Sequence, residues 1–140
     1  MNKFYRISIN YNALDRIING HKTIEGRIKK GIFINMIQGD TIEFHNKKLK
    51  CLAKIINIIE YKNILEYLSG ENLDNINPNK SKEDILKIYR GFYPDILKIP
   101  KKFLAIKFKV INIWIIITIM YINGHYFPHD SNLKDFYMLH

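Results

Sequence analysis

The chain has 140 residues, enough for one domain with a hydrophobic core and too few for two of ordinary size. Its net charge of +9 is uneven: residues 1–109 carry 21 Lys and Arg against 11 Asp and Glu, a balance of +10, whereas residues 110–140 come to −1. A basic body makes nucleic acid or another polyanion the first partner to consider, and a single cysteine excludes an internal disulfide.

The opening ten residues, MNKFYRISIN, lack an apolar stretch long enough for a signal peptide, an expectation that places the protein inside the cell, in cytoplasm or nucleus. Phe4 to Ile9 have the aromatic and β-branched content of a first strand, and Asn10 offers an N-cap. Tyr11, Leu14, Ile17 and Ile18 follow at helical spacing, and Gly20 supplies a left-handed stop. Then KTIEGRI alternates, with Thr23, Glu25 and Arg27 on one face and Ile24, Gly26 and Ile28 on the other.

Gln38 to Asp40 signal a turn, and the stretch from Thr41 to Ile59 reads as two strands about a turn at Asn46 to Lys48. Cys51 alternates there in a half-buried strand and reads as an inert core thiol in a reducing compartment. Tyr61 to Gly70 fit a short amphipathic helix. Glu71 to Lys80, rich in Asn, Asp and Pro, read as a loop. Ser81, followed by Glu83 and Asp84, starts another helix in which Ile85, Ile88 and Tyr89 share a face, and Lys102 to Val110 form a closing strand. The sum is an α+β domain with a mostly antiparallel sheet. Residues 110–140 form an extension, apolar then polar. Its apolar run, Val110 to Ile122, is short of the ~20 residues that a spanning helix needs, so no membrane span is expected.

Several of these residues, taken together, resemble the ASCH domain of the PUA-like superfamily over about residues 1–109. They are Gly20, Lys22, Thr23, Glu25, Gly26 and Arg27, then Gly39 and Asp40 before a strand, then the Tyr89, Arg90, Phe92 and Tyr93 stretch, closing on FLAIKF. The resemblance implies a small PUA-like β-barrel with helices at its rim, a cleft lined by the Lys/Glu/Arg strand, and binding of RNA or a nucleotide-derived ligand. Some small bacterial members of that family are amidohydrolases that remove an acyl group from modified cytidine, using a lysine, a threonine three residues later and a distal glutamate. Lys22 matches the lysine; the position three residues on is Glu25, and the nearest threonine is Thr23. Glu71 and Glu83 are candidates for the distal carboxylate by location alone.

Read from the residues themselves, Lys22, Glu25 and Arg27 permit binding of a phosphate or base edge, with the guanidinium as a planar fork and Glu25 orienting it or accepting from an amine. Hydrolysis asks for more: Lys22 as base, Thr23 or water as nucleophile, and Glu25 in proton transfer. An exposed Glu25–Arg27 pair that merely pins the strand is the plainer alternative. Tyr93 is the aromatic placed to reach a cleft, whereas Tyr89 and Phe92 are expected in the core. His125, His129 and Asp130 lack the companions of a metal site, and neither metal nor cofactor is expected.

Overall fold

The computed structural model describes residues 1–47 and 49–115, with side chains as far as Ile111. Among these residues five strands form one mixed sheet: β1 (Phe4–Ser8), β2 (Ile24–Ile28), β3 (Thr41–His45), β4 (Leu49–Tyr61) and β5 (Phe103–Ile115), in the order β1-β3-β4-β5-β2. β1 runs parallel to β3, and the other three pairings are antiparallel. Register shifts at Leu52/Ala53 and Ile55/Asn57 bend β4, and the sheet curls into a half-barrel.

Four described helices pack on the sheet: α1 (Tyr11–Ile18), α2 (Ile64–Gly70), α3 (Leu73–Ile76) and α4 (Lys82–Phe92). Each begins on a polar cap. Asn10 Oδ1 accepts from Ala13 N at 2.8 Å, Asn63 Oδ1 from Glu66 N at 2.9 Å, Asn72 Oδ1 from Asp74 N at 3.1 Å and Ser81 Oγ from Asp84 N at 3.1 Å. α2 therefore starts later than the sequence pattern predicts, because Tyr61 completes β4 and Asn63 does the capping. α3, with 3-10 turns over Gly31–Asn35 and Ile96–Lys98, lies where no regular element is expected.

Alternation along β5 divides the core in two. Leu104, Ile106 and Phe108 join Ile7, Leu14, Ile17, Ile42, Phe44 and Ile55 beneath α1. Phe103 and Ala105, on the other face, join Ile24, Ile28, Ile64, Tyr67, Leu68 and Ile85 beneath α2 and α4. Cys51 is fully buried in the first cluster, where burial pushes its thiol up to about 12, and it is chemically quiet as expected. β5 crosses position 109 without a break and pairs with β4 as far as Ile115. Residues 116–140, which hold most of the expected extension, together with His125, His129 and Asp130, lie outside the described residues. No described helix is long and apolar enough to cross a membrane.

Candidate functional site

α1 ends at Ile18, and Gly20 takes φ +80°, a conformation costly for any side chain with a Cβ. That turn lets His21 N and Lys22 N both donate to Arg16 O, at 2.9 and 3.0 Å, and it aims Lys22 inward. The Lys22 ammonium is buried and has three acceptors: Ile24 O at 2.5 Å, Ile76 O at 3.0 Å and Glu25 Oε1 at 3.2 Å. An ammonium has three N–H donors, so all of them are engaged. The other oxygen of Glu25, Oε2, accepts from Arg27 Nε at 2.7 Å. Arg27 lies over the Phe33 ring, 5.2 Å from its centroid. Among the described residues nothing accepts from the terminal amino groups of Arg27.

Burial holds the Lys22 ammonium below its usual range, against the pull of Glu25. For Glu25, burial works against ionisation, but the charges of Lys22 and Arg27 and their hydrogen bonds outweigh it and hold the carboxyl below the ordinary value. Arg27 is likewise opposed by burial and raised by Glu25. The site is thus a buried chain of cation, carboxylate and cation, more than the surface pair that the plainer reading expected.

Behind it, Gly26 makes room for two tyrosines: a Cβ there would lie 2.5 Å from Tyr89 Oη and 2.6 Å from Tyr67 Oη. Tyr89 Oη donates to Gly26 O at 3.4 Å, whereas Tyr67 Oη is buried and has no hydrogen-bond partner among the described residues. Burial first, then the Glu25 charge, raises the Tyr89 phenol.

These groups floor a cleft of about 620 Å³ between α1 and α4, large enough for a small ligand. Lys22, Glu25, Arg27 and Tyr93 all line it. Thr23 does not: its N donates to Asn75 O at 2.9 Å, its carbonyl accepts from Phe108 N at 3.2 Å, and its hydroxyl makes no bond to Lys22 Nζ. Glu71 pairs instead with Lys107 at 3.1 Å and with the Tyr61 hydroxyl, and neither Glu71 nor Glu83 lines the cleft. Phe92, expected in the core, is 65% exposed at the cleft mouth, because α4 turns only Ile85 fully inward. Tyr89, also assigned to the core, packs edge-on against Tyr67 and Phe103 while lining the cleft.

Arg16, Asn77 and Lys80 line the cleft as well and were not singled out in the sequence, and Tyr11, read there only for its helical spacing, lines it too. Only Arg16, in the last turn of α1, carried a usable signal, since its spacing from Leu14 and Ile17 turns it off the buried face. Asn77 Oδ1 is buried and accepts no hydrogen bond among the described residues, a condition that only the folded chain reveals. The cleft has four cations, Arg16, Lys22, Arg27 and Lys80, and one carboxylate, Glu25. Among the described residues no group of His, Cys, Asp and Glu could hold a metal ion.

The ASCH domain family model matches residues 7–113. Among solved structures, the chain is similar to hypothetical protein PH0355, with 31% identity over 78% of this chain and 99% of the other and a TM-score of 0.68. It is also similar to protein PF0455 from Pyrococcus furiosus, at 28% identity over 79% and 98%, with a TM-score of 0.61. The ASCH domain from Lactobacillus crispatus JV V101 shares the fold at 15% identity over 77% and 79%, with a TM-score of 0.54. No curated protein matches the chain.

Proposed function

The chain belongs to the ASCH domain family, and from that premise we propose that its cleft binds RNA or a nucleotide-derived ligand, on a curled sheet of PUA-like barrel type. One observation carries the reading: the Arg27 guanidinium is held by Glu25 through Nε alone, so its terminal amino groups remain for a ligand at the floor of a cleft with four cations and one carboxylate. A planar donor fork fits a phosphate or the acceptor edge of a base. Glu25 is neutralised by two cations and does not repel an anion. Lys22 acts by charge and by fixing Glu25, since its own hydrogens are all engaged.

Hydrolysis of a modified nucleoside is the other reading, and the geometry favours it less. A lysine base needs a lone pair turned toward the substrate, and Lys22 Nζ is turned onto three protein acceptors, although burial does loosen its hold on a proton; Thr23 stands outside the cleft.

The test is the salt dependence of affinity for a short RNA. Binding through phosphates weakens linearly on logarithmic axes as salt rises, and removal of one phosphate-binding cation lowers the slope by about one. Arg27→Ala is expected to weaken binding and to lower the slope; a slope equal to the parent's removes Arg27 from the site. Turnover of acetylated cytidine above background would replace binding with hydrolysis.

A further inference from the structure

α4 displays an apolar stripe that the core does not use. Ile85 is buried, but Ile88 is 41% exposed and Phe92 65%, one and two turns on, and both line the cleft. Across the cleft, in the first turn of α1, Tyr11 is 56% exposed. Neither Tyr11 nor Phe92 belongs to either hydrophobic cluster. Two exposed aromatic rings thus stand at the mouth of one cleft on separate helices, while the Lys22–Glu25–Arg27 chain lies on its floor. Arg16 and Lys80 line the same space, and among the described residues neither is paired with a carboxylate.

We infer that Tyr11 and Phe92 are stacking platforms for the bases that flank the one held at the floor, so that the ligand of this cleft is single-stranded RNA and not a free nucleoside. The inference rests on the reading proposed above and adds the length and strandedness of the ligand. Bases in a single strand are unstacked and present faces that aromatic side chains cover, whereas a duplex hides those faces. Cations beside aromatic rings match the alternation of phosphate and base along such a strand, and the basic balance of residues 1–109 supplies the long-range attraction. An apolar protein partner would find four cations in the groove that it has to enter, which argues for the polyanion.

The experiment titrates the full chain with uridine monophosphate, with tri-uridylate and with a blunt-ended RNA duplex of two separate strands at one fixed salt concentration. For the parent, tri-uridylate is expected to bind at least about tenfold more tightly than the monophosphate, given the usual gain per stacked base, and more tightly than the duplex. In the double variant Tyr11→Ala/Phe92→Ala that ratio should collapse to within about threefold, and in Tyr11→Phe/Phe92→Tyr, which keeps both rings, it should persist. Both side chains are largely exposed, so a melting scan of each variant should overlay the parent's.

Monophosphate binding with no gain for tri-uridylate overturns the inference and leaves the reading of the floor intact. So does a gain that survives loss of both rings, which would come from added phosphates, and so does equal affinity for the blunt-ended duplex. If no ligand of the three binds, the reading of the cleft fails and the inference with it.

Discussion

At the scale of single residues the energetic weight falls on Glu25, the one acidic group between two buried or half-buried cations. Glu25→Ala leaves the Lys22 ammonium buried without its counter-charge, and breaking such a pair costs roughly 3–5 kcal/mol, measurable by urea unfolding at neutral pH. Glu25→Gln keeps an acceptor at similar reach and loses the charge, so affinity for the RNA should fall about tenfold, or ~1–2 kcal/mol. The pH dependence follows from the directions of the shifts. Because the Glu25 carboxyl is depressed in the folded protein, its stabilisation is complete above the unfolded value of ~4.3 and is lost as pH falls through the folded value. Lys22 is also depressed, so the folded chain gives up that proton first and stability gains as pH climbs toward ~10.4. Acid unfolding followed by circular dichroism should therefore show a steep limb that Glu25→Gln flattens; an unchanged limb would assign it to other carboxylates. The strand face shared by Glu25 and Arg27 was legible in the alternation of KTIEGRI. What Lys22 touches was not, since Ile76 O comes from a segment 54 residues away.

Among the elements, β2 and α4 are matched through the absence of one side chain. Gly26 faces the second core cluster between Ile24 and Ile28, and a methyl group there would collide with the hydroxyls of Tyr67 and Tyr89 at 2.5–2.6 Å. Gly26→Ala is expected to destabilise the fold by about 1–3 kcal/mol through overpacking, by calorimetry, and to weaken RNA binding because α4 must move off β2. Adding Tyr89→Phe should recover only part of the loss, because Tyr67 Cζ would still lie 2.7 Å from the added atom; full recovery would place the clash on Tyr89 alone. The strands and three helices, α1, α2 and α4, were legible because burial repeats at a regular period there. α3 was read as loop for an equally physical reason: four residues between Asn caps are too short to display a period, and Asn and Pro are the usual composition of turns.

For the whole molecule, the shared spine is β5, which pairs with β2 on one side and β4 on the other and sends alternate side chains to both core clusters. The expected boundary after Lys109 falls inside this strand, because the apolar run that begins at Val110 is at first a continuation of β5. A chain ending at Ile115 keeps every described strand pairing and should unfold cooperatively within a few degrees of the full chain. A chain ending at Lys109 removes the β5 partners of Leu49, Lys50, Cys51, Leu52 and Ala53, and it should melt lower by several degrees or more. Equal melting of the two would show that this end of the sheet contributes little.

The hydrogen bonds of Lys22 and Tyr89 to the strand backbone have a consequence for how one molecule meets another. Among the described residues β2 ends the sheet, and the carbonyls of Ile24 and Gly26 accept from Lys22 Nζ and Tyr89 Oη, not from a further described strand. An end strand with open carbonyls is a template for intermolecular pairing, and here side chains that line the cleft cap two of them. Lys22→Met, which keeps the bulk of the stem, should then do more than weaken the cleft. It should make the protein self-associate with rising concentration, seen as a growing hydrodynamic radius in light scattering, while a monomeric Lys22→Met protein would show that the remaining cover of β2 suffices to keep the chains apart.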